Sequence, residues 1–459
     1  MSVMLNNQRV SISNRLERLP SSSYLMWMGG LVLVAAFLEV IDMGGIGFML
    51  PVLAQFWHLD PKMMGYLASI TYVGMFFGAM VCGYLADKFG RKPILIAAML
   101  IWGVSGIVFA FSWSLNVLFI SRFIFGIGLG AQVPVGTSLL SEIVPSRLRG
   151  KYIVFFMTLL PLGMASGGLL TYLFLPHLGW RGMFLLEALF ALWAFAIWKY
   201  LPESALWLES KARHNEADQV MDQIEQGIVK STGQALPAVE ANSAENQARK
   251  PDREIAPEAV KGHSPIAELF SRHYMKITIM VTIWMFTNMM AFYGINLWLT
   301  SLLVAKGFTI IKSTGYVALI ALGGLPAYFV ISYLIEKIGR KWLVVIMAVL
   351  TAVAAYFYGQ APTLGLVIGT GLVYMFCQYG FNMVCQVYLP ELFTTRLRAT
   401  GVGYTSGCGR AGAALGPIVI GFIVAGHNPT TVMLFAFGVN LISGGIVALL
   451  GPETKGKVF

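Results

Sequence analysis

The sequence predicts an all-α polytopic membrane protein of twelve transmembrane helices in two homologous six-helix halves. Three observations carry that prediction. The 459 residues are 57% hydrophobic and 12% charged, with mean hydropathy +0.71, whereas soluble domains carry about 25% charge. Apolar runs recur at the roughly 20-residue length that crosses a bilayer core of about 30 Å. Short motifs recur at a near-constant separation: GYLADKFGRK at 83–92 returns as SYLIEKIGRK at 332–341, and EIVPSRLR at 142–149 returns as ELFTTRLR at 391–398, both 249 positions on. Pro202-Glu203-Ser204 returns as Pro452-Glu453-Thr454, 250 positions on.

The elements follow in order. A polar N-terminal segment, 1–23, has no signal-peptide cleavage pattern, so the first helix is expected to remain as an anchor. The first half, 24–204, places spans at about 24–54, 64–86, 93–114, 116–141, 152–176 and 182–201. A linker follows at 205–272. Its ESALWLESKARHNEADQVMDQIEQGI has helical periodicity and reads as one or two short surface helices. Its ALPAVEANSAENQARKPDREIAPEAV is too poor in apolar residues for a packed core. The second half, 273–451, places spans at about 275–304, 312–335, 342–361, 363–389, 400–426 and 430–451, and 452–459 is a tail.

The net charge of +10 is distributed by side of the membrane. With the N-terminus inside, 26 of the 32 Lys and Arg fall on inside segments, and only Lys62, Arg181, Lys306 and Lys312 fall outside. The positive-inside rule then puts both termini in the cytoplasm, and the basic excess describes a lipid bilayer surface and no nucleic acid. The expected location is a bacterial inner (plasma) membrane. Cys82, Cys377, Cys385 and Cys408 lie in apolar runs without metal spacing and read as structural thiols. No nucleophile, base or metal cluster assembles, so an enzyme is not expected. Nor is a cofactor, and the chain reads as a monomer.

The paired G-x-L-A-D-x-x-G-R-K loops, the two E-x6-R segments, PES-x-x-W-L after the sixth span and PET-K-G after the twelfth resemble a major facilitator superfamily transporter over the whole chain. The likeness is to its sugar-porter and metabolite:proton symporter branches, including aromatic-acid and nicotinate-type carriers. It implies alternating access, with a small-molecule substrate bound between the halves near mid-bilayer. On that reading Asp87, Arg91, Glu142 and Arg149, with Glu336, Arg340, Glu391 and Arg398, form two gating networks at the cytoplasmic helix ends. Asp87 and Glu336 pair with arginines and with a neighbouring helix dipole, latching one half to the other while the outside is open. Static anchoring explains the basic residues equally well, but not the matched acids.

Residues that break the repeat are the candidates for chemistry. Asp42 aligns with Ala291, Arg122 with Gly371, and Arg410 with Pro161. With Glu39 and Glu187 they are the ionisable residues well inside expected spans, each costing about 2.5–3.5 kcal/mol at mid-bilayer. Asp42 and Arg122 lie at similar depth and are expected to pair. Breaking such a pair in a dry site lets the aspartate take a proton, and the resemblance implies proton coupling there; a fixed salt bridge is the alternative. Glu39, one turn earlier on the same face, is the alternative carrier or a second one. Glu187 reads as a snorkelling or capping acid. Arg410 lies among small residues in GYTSGCGRAGAALGP, with space for a carboxylate or phosphate guest that guanidinium grips by two bonds. An internal partner such as Glu187 or a cluster of backbone carbonyls is the alternative. Asn288, Tyr293, Asn296 and Trp298 on the seventh span, with Gln378 and Asn382 on the tenth, complete a polar cavity. Sugar porters carry a glutamine pair ahead of Gly-Ile-Asn; here Thr287-Asn288-Met289-Met290 precedes Gly294-Ile295-Asn296. The expectation is proton-coupled import of a small polar metabolite, an organic acid ahead of a sugar or polyol. An uncoupled facilitator, an exporter and a transport-dead receptor are the rivals.

Overall fold

The computed structural model describes residues 11–237, 265–394, 396–427 and 430–456. All but the first three residues of the low-complexity linker stretch lie outside that set. No strand occurs among the described residues. The first half comprises α2 (Ser23–Trp57), α3 (Pro61–Phe89), α4 (Arg91–Ala110), α5 (Leu115–Ile143), α6 (Ser146–Leu189) and α7 (Trp193–Tyr200). The second comprises α11 (Met275–Ala305), α12 (Ile310–Ala321), α13 (Leu325–Ile338), α14 (Arg340–Gln360), α15 (Leu364–Glu391), α16 (Arg398–Gly426) and α17 (Thr430–Leu450). Around them lie α1 (Ile12–Glu17), α8 (Ala205–Ser210), α9 (His214–Thr232) and α10 (Pro265–Leu269).

Eleven helical stretches among the described residues are long and apolar enough to cross a membrane, where twelve spans were expected. The difference lies at 146–200, which runs on as 55 helical residues. At 1.5 Å per residue that is about 80 Å, over twice a bilayer core. Gly179, at φ +63° and ψ 178°, kinks the run between the fifth and sixth expected spans. Polar residues set the helix starts. Ser22 accepts from the Leu25 amide at 3.2 Å, and Asp60 from Met63 at 2.7 Å. A 3-10 turn at Leu322–Gly324 joins α12 to α13, where Pro326 lacks an amide donor.

Small residues set the packing. A Cβ on Gly126 of α5 would stand 2.1 Å from the Thr71 carbonyl of α3, and one on Gly412 of α16 2.1 Å from the Phe286 carbonyl of α11. The halves meet chiefly at the face remote from the chain termini. Gly65 lies against Pro417, Gly47 against Leu297, and Gly168 against Ala318.

On the terminal face, α9 buries Ala217, Met221, Ile224 and Ile228 at helical spacing, and α1 buries Ile12 and Leu16. Charge joins the two helices. Arg15 donates to Glu225 at 3.0 and 2.8 Å and to Asp222 at 2.5 Å, and Arg18 donates to Glu225 at 2.7 Å. Glu17 accepts from the Ser146 hydroxyl at 2.7 Å, tying α1 to the start of α6. Burial opposes the charge on Glu225, but the hydrogen bonds from Arg15 and Arg18 outweigh it and hold that carboxyl below its ordinary range. A depressed acid contributes stability above its ordinary value of about 4 and loses it as pH falls through the lower folded value. The clamp is therefore closed at neutral pH and loses this contribution only below the ordinary carboxylate range. Arg15→Ala is expected to weaken the docking by about 1–3 kcal/mol, read as faster hydrogen exchange in 12–17 and 214–232. Unchanged exchange there would leave the apolar contacts as the whole attachment.

Candidate functional site

The acids expected within the membrane are buried, with Glu39, Asp42 and Glu187 at most 3% exposed, and Arg122 is fully enclosed. The expected Asp42–Arg122 ion pair is not formed. Arg122 Nε donates instead to Thr71 Oγ1 of α3 at 3.1 Å. Its guanidinium carbon lies 4.1 Å from the Phe125 ring centre, with the Phe109 and Phe184 rings at 5.4 and 5.6 Å. This aromatic box holds the arginine short of the aspartate, within electrostatic reach of Asp42 and Glu187. The Asp42 carboxyl faces Glu187, which is neither snorkelling nor capping. Gly45, one turn along from Asp42, makes the notch: a Cβ there would stand 2.3 Å from Glu187 Oε1. Two carboxyls hydrogen-bond to each other only if one carries a proton.

Arg410 is half-buried on α16 and spans the halves, its Nη1 donating to the Met75 carbonyl of α3 at 3.3 Å. Of the two internal partners weighed for it, the structure supplies a backbone carbonyl and no ion pair with Glu187. The groups that feel its charge are Glu39, Tyr293 and Cys82. The glycines around it divide by role. Gly409 and Gly412 pack on α11, while Gly403 and Gly407 face open space.

In the second half, Asn288 Nδ2 donates to Asn382 Oδ1 at 3.1 Å, and Gln378 Nε2 donates to Asn288 Oδ1 at 3.3 Å. Gln378 Oε1 and Asn382 Nδ2 remain without a protein partner. Along α15 the polar stripe runs from buried Gln378 to exposed Gln386 near the terminal face. On the remote side, Tyr293 meets Tyr72 across the halves, ring centres 4.8 Å apart. With Met164, Phe292, Asn296 and Tyr379 they line a cavity of only about 10 Å³, room for one water. Trp298 stands away from this centre; its Nε1 donates to the Pro417 carbonyl at 3.1 Å, and with Gln55, Pro61 and Ser301 it lines a separate, more open cavity of about 260 Å³ on the remote side.

Residues 31–459 match the family described as sugar (and other) transporter. The chain belongs to that family, within the major facilitator superfamily. This transporter is 32% identical over 452 residues to the niacin transporter NiaP of Acinetobacter baylyi, covering 98% of each chain. It is 29% identical to the 4-hydroxybenzoate transporter PcaK of Pseudomonas putida over 89% of this chain and 88% of that one. Among solved structures it resembles the xylose transporter XylE of E. coli in a partially occluded inward open conformation. There the TM-score is 0.75, at 18% identity over 95% of this chain and 100% of that one.

The transporter's repeated loops carry ion pairs within each half. Arg91 pairs with Asp87 at 2.9 Å and Glu142 at 3.2 Å; Arg340 pairs with Glu336 at 3.0 Å and Glu391 at 3.2 Å. These four ion pairs each join residues of one half. Asp87 and Glu336 are 73% and 69% exposed, so water screens them strongly. Arg149 is half-buried in the first turn of α6, and Glu142 takes Arg91 in its place; Arg398 opens α16. The acids at the helix N-termini are Glu203 and Glu453. Glu203 Oε1 accepts from the Arg91 amide at 3.1 Å, and Glu453 Oε1 from the Arg340 amide at 3.0 Å. Gly90 and Gly339 turn the chain there at φ +107° and +99°, which explains the repeated glycine of Gly-Arg-Lys. The PES and PET repeats carried the signal for both glutamates. Thr71, Tyr72 and Gly45 had no such signal.

Proposed function

We propose that this transporter imports a small organic acid together with protons by alternating access. The observation that carries the reading is Arg410, a half-buried guanidinium at the junction of the halves with no ion-pair partner within 4.0 Å among the described residues. The relatives named above support it, since niacin and 4-hydroxybenzoate are aromatic carboxylic acids. Tyr293, Asn288, Asn296, Gln378 and Asn382 give the ring of such a guest an aromatic wall and hydrogen-bonding groups. Asp42 and Glu187, held beside Arg122, are the proton site, and Glu39 is a further one. The charge bias of the loops orients the terminal face to the cytoplasm of a bacterial inner membrane. The close approach of the halves at Tyr72 and Tyr293 and the exposed Gln386 support an inward-facing state. Arg91 and Arg340 brace the cytoplasmic ends of their own halves, so that each half moves as a unit.

The partnerless Gln378 Oε1 and Asn382 Nδ2 favour a second reading, a neutral polyhydroxylated substrate such as a sugar. Proteoliposome uptake separates the two. Labelled nicotinate should accumulate when the outside is made acid, at least tenfold for one pH unit, and xylose should not. Equal uptake with and without the gradient would make the protein a facilitator.

A further inference from the structure

We propose that Thr71 is the positioning residue of the proton site, holding Arg122 off Asp42 and so setting the pH at which the acids load. This rests on the reading of Asp42 and Glu187 as that site and adds what tunes it. Thr71 on α3 and Arg122 on α5 are buried, 1% and 0% exposed. Arg122 Nε donates to Thr71 Oγ1 at 3.1 Å, while Nη1 and Nη2 have no protein partner. The helices that carry this bond are locked together within a turn of it. A Cβ on Gly74 would stand 2.2 Å from the Phe123 carbonyl, and one on Gly126 2.1 Å from the carbonyl of Thr71 itself. The rings of Phe125, Phe109 and Phe184 attract the charge with their faces but offer it no hydrogen-bond acceptor. Both Asp42 oxygens are likewise without a donor, and the Glu187 carboxyl meets α2 at Gly45.

The surrounding charges show what the tether does. Asp42 is faced by Glu39 along α2, by Glu187 from α6 and by Arg122 from α5, with the Tyr72 phenol near Arg122 on α3. Toward Glu39 lie Arg410 of α16 and Tyr293 of α11. A guanidinium in contact with Asp42 would hold that carboxyl ionised and resist its protonation. Held at Thr71, the same cation stands among three rings and one hydroxyl, and the acids take a proton more readily. Removing the hydroxyl leaves a buried guanidinium with no acceptor, a strongly unfavourable state. Its recourse is the pair of carboxyls whose charge it already feels, Asp42 and Glu187. Closing on them lowers the pH at which they load.

Infrared titration of the purified full-length transporter without substrate tests this, reading the carbonyl stretch of a protonated carboxyl. The band lost in D42N/E187Q marks the acid pair. In T71V, where a methyl replaces the hydroxyl at nearly equal volume, the pH midpoint of that band should fall by about one unit or more. T71A should do the same, and T71S, which keeps the acceptor, should titrate as wild type does. In the R122Q background T71V should move nothing, because the threonine acts through the arginine. A wild-type midpoint in both T71V and T71A overturns the positioning role. So does a fall shared by T71S, or one that persists with R122Q, since either traces to packing. In proteoliposomes the pH profile of labelled nicotinate uptake should move down in T71V and return in T71S. Uptake indifferent to pH, with the band shifting as expected, would overturn proton coupling while the role of Thr71 stands.

Discussion

Asp42→Asn is expected to lower gradient-driven accumulation by about tenfold for each unit of imposed pH difference, while leaving counterflow exchange intact. The asparagine amide donates to Glu187, as the protonated aspartate would, so the variant is held in the proton-loaded arrangement. Neither Asp42 oxygen has a donor in the structure, and Arg122 is held off by Thr71 and its three phenylalanine rings. Nothing else therefore satisfies that carboxylate once it is ionised. Removing one coupled proton removes about 1.36 kcal/mol of driving force per pH unit, which is the tenfold. Proteoliposomes under a series of pH gradients measure it directly. Accumulation equal to wild type would leave the coupling to Glu39 alone.

Arg410→Lys is expected to weaken nicotinate binding about ten- to a hundredfold, and Arg410→Ala at least as much, with nicotinamide far less affected. Lysine keeps the charge but loses the planar fork that meets a carboxylate with two parallel bonds. A desolvated charge-assisted hydrogen bond contributes about 1.5–3 kcal/mol, which sets the range. Equilibrium binding at fixed pH gives the comparison. Normal binding of a neutral sugar by Arg410→Lys, with no carboxylate bound by wild type, would make the arginine structural and the organic-acid reading wrong.

Both predictions concern residues that stood out because they interrupt a repeat. A charge that appears in one half only, at a depth where it costs several kcal/mol, has no place in machinery common to the two halves. That logic found Asp42, Arg122 and Arg410, and it drew attention to Glu39. It misjudged Glu187, whose distance from the end of its expected span suggested an acid reaching for water. The notch beside Gly45 that admits its carboxyl is a contact between α2 and α6, and no local pattern in either helix announces it. Trp298 shares a helix with Asn296, but two residues of helical rotation turn its ring toward Pro417 of α16.

By itself the sequence determined the solvent, the number of spans to within the join at Gly179, the two-half plan and the points where the plan is broken. These follow from composition, run length and repetition, which are properties of the chain taken in order. Only the tertiary structure decided the pairings. Arg122 takes Thr71 and an aromatic box over Asp42, Asp42 is left facing Glu187 without a donor, and Arg91 and Arg340 pair with acids of their own halves. In a low-dielectric interior a shift of one or two ångströms changes which charge is neutralised by which. Such a shift is set by the close approach of small residues on helices far apart in the chain.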